Sequence, residues 1–315
     1  MDEKTNYYFI VNKWAGAQHS VQTWDKLHQY LLQNKVQFER AVTEYPKHAT
    51  ELAQKFADEH PTNWVIVALG GDGTLLEVLN GVQRSKNKIP IGYIPAGSGN
   101  DFARAVGLAR DPYQALQQLI QTTAPIELDV GVYQDQNNQI EHYFSNNIGI
   151  GFDASVVYQA NRGQKIKLSK WHLESAAYAS ALLKTLITQK GFPLNITIDG
   201  EEYKFSNAFV VSLTNIKYFG GGIGIAPLAQ MTDGKIDVVI TEKLNIFRFI
   251  RLFTKLLING KHLEMPDVFF KTGRQIRVQS FSAEHGQVNG EDLPQQNFDL
   301  KIWTTKQNFW FTNQI

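Results

Sequence analysis

The stretch "ALGGDGTLLEVLNG", residues 68–81, decides how this chain is read. It overlaps "NWVIVAL" (63–69), a short apolar run rich in β-branched residues, and continues into Leu75, Leu76, Val78, Leu79 and Val82 at helical spacing. Strand, glycine loop, helix is the local order. Gly70, Gly71 and Gly73 remove Cβ atoms from a turn that opens a helix, so main-chain N–H groups there can approach a phosphate closely. Asp72 stands among them with the wrong charge for that ligand. It fits only if it binds backbone or hydroxyl donors, joins a magnesium and water network, or receives a proton from an acceptor alcohol. The plainer alternative is a tight strand-to-helix turn with Asp72 capping the helix.

The unit recurs downstream as "IPIGYI" (89–94), a second glycine loop "PAGSGN", and a helix expected from about Asp101. Upstream, "YYFIVN" (7–12), a helical stretch near 17–34, "VQFERAVT" (36–43) and another helical stretch to about His60 give a βαβα beginning. A parallel sheet follows, with ligand-binding loops at its carboxyl edge. After Pro125 the texture changes to period-two strands with turn signals, among them "VGVYQD", "HYFSNNIGIGF", "NAFVVSLTN", "KIDVVITE" and "FDLKIW". That predicts an antiparallel β-domain interrupted by helices near 169–190 and 245–260. The expected division is an α/β domain over 1–127 and a β-domain over 128–315, with the final "QNFWFTNQI" either capping the second domain or crossing back to the first.

Composition narrows the function classes. Of 315 residues, 43% are apolar and 19% charged, which is ordinary for a folded protein with a sizeable core. A net charge of +1 supplies no global field for DNA or RNA, so no nucleic-acid partner is expected. With no cysteine, disulfides, thiolate metal sites and cysteine nucleophiles are excluded. The start lacks a signal-peptide pattern and no apolar run reaches ~18 residues, so a cytoplasmic location is expected. The chain carries neither a Walker A motif nor a convincing G-x-G-x-x-G fingerprint after its first strand.

"GGDGTLLEVLNG" followed by "IPAGSGNDFARAVG" (94–107) resembles the bacterial diacylglycerol kinase and sphingosine kinase superfamily of soluble lipid kinases. The likeness runs on through "LDVG" (128–131), "NNIGIGFDASV" (146–156), "GGGIGIAPLAQMTDGKIDVVI" (220–240) and "VNGED" (288–292), in the family's order. It implies a three-layer α/β domain like that of NAD kinases and phosphofructokinases, a C-terminal β-sandwich, and catalysis in the cleft between them. ATP is then expected against Asn12, Thr43, the loop Gly70, Gly71, Asp72, Gly73, Thr74, and Ser98, where relatives often carry threonine. Acids matching Asp72, Asp101 and Asp129 form a network with water and Mg2+ in the family. Carboxylates clustered in that way cannot all stay ionised without a cation or strong donors. Taken alone, Asp101 reads as a helix N-cap and Asp129 as a strand-end hydrogen-bonding group.

The resemblance also implies a structural Mg2+ at Asp233 with main-chain carbonyls including that of Lys235, although Thr232 stands where many relatives have a further acid. On its own, Asp-Gly is a hairpin turn. Glu291 matches the family's general base, taking the proton from the lipid hydroxyl; on its own it is an exposed turn acid after Asn-Gly. Asp153 is expected to face the acceptor alcohol, with a strand bulge as the alternative reading of its glycines. Peripheral contact with a membrane has two candidate segments: "KLNIFRFIRLFTKLLINGKH" (243–262), otherwise a core helix with a solvated basic face, and "NRGQKIKLSKWH" (161–172). An ATP- and Mg2+-dependent lipid kinase acting on a diacylglycerol-like alcohol is the leading reading. NAD kinase and a catalytically silent nucleotide-binding regulator are the alternatives. A homodimer is compatible with the sequence.

Overall fold

The computed structural model of the chain describes residues 5–15, 19–60, 63–163, 186, 188–258 and 260–312. The basic run from Lys165 to Lys170, and most of the helical insert expected over 169–190, lie outside the described residues. Among the described residues no helix is long and apolar enough to cross a membrane.

Four parallel strands build the first half: β1 (Asn6–Val11), β2 (Phe38–Val42), β3 (Trp64–Gly70) and β4 (Ile91–Pro95), in the order β2-β1-β3-β4. Both faces of this sheet are covered, which is why β1 and β3 read as continuous apolar runs and not as alternating ones. On one face α1 (His19–Gln33) packs Trp24, Leu27 and Leu31 against Tyr7, Phe9, Val65 and Val67. On the other, α2 (His48–Glu59) and α3 (Asp72–Arg84) cover Tyr8, Ile10, Ile66 and Ala68. The chain leaves β1 towards β2 on one side and β3 on the other. The strand order therefore reverses at β1, and the crevice at the carboxyl ends of β1 and β3 is the ligand position this topology offers. The helix expected from about Asp101 starts there and is short: α4 spans Asp101–Ala105, and Gly107 at φ 72 redirects the chain. Asp111 then caps α5 (Pro112–Gln121) by accepting from the Gln114 N–H.

The second half is antiparallel, as the period-two texture predicts. Its first strands are β5 (Ile126–Asp135), β6 (Glu141–Phe144) and β7 (Asn147–Gly151). Gly151, at φ 95, then turns the chain directly into α6 (Phe152–Gly163), so Asp153 sits in a helix's first turn and not on a bulged strand. β8 (Phe192–Ile198) pairs with the first part of β9 (Glu201–Thr214), and the far part of β9 pairs with β7 and with β10 (Ile236–Glu242). One long strand thereby passes from one sheet layer to the other around a core that includes Phe144, Ile196, Val211, Val238 and Val278. After β10 come α7 (Ile246–Ile258), β11 (Val268–Gly273), β12 (Ile276–Ser280), β13 (Glu284–Val288), β14 (Glu291–Gln296) and β15 (Asp299–Phe309). The molecule is thus an N-terminal α/β domain followed by a C-terminal β-sandwich.

β15 settles the open question about the last residues. It pairs with β5 along its length and with β12 over its first part, then reaches β4 at Phe309–Ile91. Beyond it the Trp310 indole donates to the Leu119 carbonyl (3.1 Å) and Phe311 is buried in the first domain's core. The chain end caps one domain and anchors in the other.

The position of α3, which carries the glycine loop, depends on close packing against α2. A Cβ added at Gly81 would come within 2.4 Å of the Thr50 carbonyl and 2.7 Å of the Ala53 Cβ. Backbone cannot yield as a flexible side chain can, so Gly81→Ala is expected to destabilise the fold by about 1–3 kcal/mol. Denaturant unfolding measures this, and an unchanged midpoint would contradict the packing.

Candidate active site

The site is assembled from strand ends. Asn12, directly after β1, donates its side-chain amide to the Thr74 hydroxyl (2.9 Å) and accepts from the Trp14 N–H (3.0 Å) and, weakly, from the Thr43 hydroxyl (3.4 Å). Residues following β1 and β2 are thus pinned to the first turn of α3. Gly70 is needed for this arrangement, since a Cβ there would lie 2.2 Å from the Thr74 hydroxyl oxygen.

Asp72 answers its apparent conflict with a phosphate by facing the second loop. Its carboxylate accepts the N–H groups of Asp101 (2.9 Å) and Phe102 (3.1 Å), so it caps α4 and not its own helix. The two loops touch through backbone: a Cβ on Gly97 would meet the Gly71 Cα at 2.6 Å. Asn100, at φ 52, holds the second loop closed by accepting from the Gly97 N–H (3.1 Å) and donating to the Gly97 carbonyl (2.7 Å). Asp101 then reaches the other domain. It accepts the Gly221 N–H (2.9 Å) while Arg104 donates to the Gly221 carbonyl (3.1 Å), holding the two peptide groups that flank the Gly221 Cα in the "GGG" loop. One Asp101 oxygen is buried without a hydrogen bond, 3.7 Å from the Arg104 Nε. Burial raises the Asp101 carboxyl above the usual range, the Gly221 hydrogen bond and Arg104 oppose this, and the Asp72 charge adds to it.

Glu291 arrives from the β-domain. Asn289 and Gly290, at φ 50 and 85, form the two-residue turn between β13 and β14, and Glu291 is the first residue after it. Gly73 leaves it room, because a Cβ there would lie 2.5 Å from the Glu291 carboxylate. Its carboxyl is raised by desolvation first, then by the charges of Glu77 and Asp292. Glu77 itself accepts the N–H groups of Lys47 (2.9 Å) and Ala49 (3.1 Å), capping α2 from α3.

Asp153 is buried and joined to the same turn. Gln287 donates to its carboxylate (3.3 Å) and accepts the Gly290 N–H (2.7 Å). Gly149 clears space for that carboxylate, since a Cβ there would lie 1.9 Å from it. The turn is fixed further by Asn289, which accepts the N–H groups of Asn146 (2.9 Å) and Asn147 (3.2 Å) and donates to the Ser145 hydroxyl (2.9 Å).

These groups face one cavity of about 880 Å3. Asn12, Gly71, Asp72, Gly73, Thr74, Ser98, Asp101, Asp153 and Glu291 line it, and its far end is apolar. Thr43 and Gly70 stand behind the lining and act through Asn12 and Thr74. Asp129 is elsewhere: its buried carboxylate pairs with Lys306 (2.9 Å) and accepts the Gly234 N–H (2.8 Å). That places it against the "DGK" turn, where Asp233 accepts the Lys235 N–H (3.0 Å) beside Asp237. Asp237 is pushed up to about 7 by burial, then by the Asp233 charge, with Lys235 opposing.

Of the two expected ways to keep these carboxylates ionised, a cation or strong donors, the geometry displays the donors. Asp72, Asp101 and Asp129 each have their own amide or cationic partners, and among the described residues no group of three or more acidic or histidine side chains converges as a metal cage. The Asp101 oxygen that accepts no hydrogen bond, with Arg104 3.7 Å away, does fit an ion that arrives bound to phosphates, since Mg2+ needs only one or two carboxylates there.

Sequence reasoning missed Gln287, Glu77 and Arg104. The alternation of Gln287, Asn289 and Glu291 through "QVNGE" was the available signal for Gln287. Glu77 and Arg104 act on partners 28 and 117 residues away, which no local pattern reveals.

Burial pushes the Asp153 carboxyl up to about 7, outweighing the hydrogen bonds from Gln287 and from the backbone N–H groups of Ala154 and Asp153. An unfolded aspartate titrates near ~3.9, so the folded protein binds the extra proton between these values. The stability from this group is complete below the lower value and is lost as pH rises through the upper one. Asp153→Asn is therefore expected to gain stability relative to the parent between about pH 5 and about pH 8. A pH-independent difference in unfolding free energy would contradict the assignment.

Comparison with known proteins agrees with this architecture. The family described as "Diacylglycerol kinase catalytic domain" matches residues 6–132, and "YegS C-terminal NAD kinase beta sandwich-like domain" matches residues 146–303. A Bacillus subtilis protein named "Putative lipid kinase YtlR" is 30% identical over 304 residues, 94% of this chain and 96% of that one. A second protein of that organism, named "Diacylglycerol kinase", is 29% identical over 268 residues, covering 83% and 84% of the two chains. A crystal structure of a diacylglycerol kinase from Bacillus anthracis superposes with a TM-score of 0.69 at 21% identity, covering 99% of this chain and 98% of the other. With both domains matched in order and a full-length relative at that identity, the chain belongs to the diacylglycerol kinase family of lipid kinases.

Proposed function

We propose that the protein is an ATP-dependent lipid kinase that transfers the γ-phosphate to the hydroxyl of a diacylglycerol-like lipid. One observation carries the reading: the cavity holds two glycine loops and Glu291 at one end and an apolar chamber, walled by Phe152, Val156, Val210, Phe249 and Leu252, at the other. A ligand filling it has an anion at one end and hydrocarbon at the other.

In this reading the triphosphate lies over the Gly71–Thr74 loop, where the Asp72 and Gly73 N–H groups precede the first backbone bond of α3, from Thr74 to the Gly71 carbonyl, and the helix dipole favours negative charge. Asn12 and Ser98 add polar contacts along the nucleotide. Mg2+, when bound with it, would be held by Asp101 and by the lone pairs that Asp72 retains, and would neutralise phosphate charge. A structural ion at Asp233 and the Lys235 carbonyl would have Asp237 as its neighbour. The lipid hydroxyl oxygen forms the new bond to the γ-phosphorus, and its proton passes to the Glu291 carboxylate. The bond from the γ-phosphorus to the bridging oxygen breaks, and its electron pair leaves with ADP. Asp153, fixed by Gln287, faces the alcohol from the chamber side. Its raised carboxyl suits a group that shares a proton with a hydroxyl near neutral pH. Reaching such a substrate requires reversible contact with a membrane surface.

Incubation with labelled ATP and separate micellar preparations of diacylglycerol, phosphatidylglycerol, a sphingoid base and undecaprenol tests this, with NAD as a control. Label on a lipid alcohol is the expected result, and label on NAD alone overturns the reading. Glu291→Gln is expected to lower turnover by about 10^2–10^4-fold with ATP binding retained. Since the carboxylate form is the active one and its carboxyl is raised, the rate should climb with pH along an acidic limb above the ordinary glutamate position. Parent-like turnover by a folded Glu291→Gln would remove Glu291 from this role.

A further inference from the structure

We propose that α7 docks the protein on an anionic phospholipid leaflet, its outer stripe entering the acyl layer while its inner stripe closes the chamber of the active site. The inference rests on the lipid-kinase reading for what the chamber holds, but the docking surface itself stands on α7 alone.

The helix is apolar on two opposite sides. Phe249, Leu252 and Leu256 recur at helical spacing, are buried and line the cavity. Phe247, Ile250, Leu257 and Ile258 fall on the opposite side of the helical wheel and are 81%, 54%, 55% and 75% exposed. A solvated helix of a globular protein carries polar residues on that side, so the expectation of a core helix with a merely basic outer face is met only on its inner side. Arg248, Arg251 and Lys255, at i, i+3 and i+7, form a third stripe beside the exposed apolar one, and α7 contains no acid. Arg248 is engaged by Asp267 (3.2 Å), which leaves Arg251 and Lys255 as the charges facing outward next to Phe247 and Ile258.

Charge selects the occupant. A second protein copy offers no general reason for an acid-free basic stripe flanking bulky apolar side chains, whereas an anionic leaflet offers phosphates at the level of the cations and hydrocarbon below them. Thirteen residues are too few to span a bilayer, so the helix lies in the interface plane. The apolar patch continues past the helix end. Pro227 packs 3.6 Å from the position of a Gly260 Cβ, and its neighbour Leu228 is 67% exposed. Because the inner stripe of the same helix walls the chamber, a lipid tail moving from leaflet to site passes along one apolar surface and never crosses bulk water.

The double variant Phe247→Ser with Ile258→Ser tests the proposal in the full chain, using vesicles of phosphatidylglycerol and phosphatidylcholine. Sedimentation with these vesicles is expected to weaken by about tenfold or more, and turnover of vesicle-borne diacylglycerol to fall in parallel. Turnover of a short-chain diacylglycerol dissolved as monomers should stay within about twofold of the parent. As the chain lacks cysteine, Ile258→Cys can be labelled with an environment-sensitive dye, which should shift to the blue on vesicles, while the same dye at Lys55→Cys on α2 should not. Equal vesicle binding by parent and double variant overturns the proposal, as does equal parent binding to anionic and purely zwitterionic vesicles. So does a parent dimer that the double variant dissociates, which would assign the face to a second copy. Loss of vesicle binding in a parent-variant pair that phosphorylates no lipid would uphold the docking helix and sink the kinase reading alone.

Discussion

The two hydrogen bonds from the Asp101 and Phe102 amides to the Asp72 carboxylate are the contact on which the site depends. A single acid on the first crossover fixes where the second crossover begins, so both glycine loops face one space. Charge-assisted bonds of this kind contribute on the order of 1.5–3 kcal/mol each, and losing the acceptor leaves two amides without a partner. The same pairing explains how an acid can stand in a phosphate-binding loop. Its charge is directed into the start of α4, and the first turn of α3 remains available to an anion.

Several other contacts carry this arrangement across the domain boundary. Asp101 and Arg104 hold Gly221 by its N–H and its carbonyl, Glu291 fills the space that Gly73 leaves, and Gln287 ties Asp153 to the turn that delivers Glu291. β15 adds a continuous connection, running through the sandwich and ending against β4. Acids from opposite halves of the chain thus meet in one cavity whose polar end is built mainly from the α/β domain and whose apolar end is built from the sandwich. A group raised by burial, as Asp101 and Asp153 are, costs stability in its ionised form, and the hydrogen bonds from Gly221 to Asp101 and from Gln287 to Asp153 reduce that cost without removing it.

Much of this was legible in residues 68–81 and 94–107, because a strand, a glycine loop and a helix leave period, composition and turn signals in short windows. The family resemblance added Glu291 and Asp153, which spacing alone reads as a turn acid and a bulge. What stayed hidden is long-range. Nothing near Asp72 announces that it caps a helix 29 residues away, nothing near Glu77 that it caps α2, and nothing near Asp129 that Lys306 neutralises it. The clustered acids called for a cation or strong donors, and only the folded chain identifies the donors. Gly107 and Gly151 stand at the break after α4 and at the turn into α6, but only their positive φ angles in the fold assign them those roles. The two-sided character of α7 was visible in its composition, but only burial assigns one stripe to the core and the other to the outside.

The most direct measurement of the central contact is residue-resolved amide hydrogen exchange on the parent and on Asp72→Ala. The Asp101 and Phe102 amides, slow in the parent, are expected to exchange rapidly in the variant while the amides of β3 and β4 keep their protection. Unchanged protection at Asp101 and Phe102 would contradict this, because the second loop would then be held by something other than Asp72.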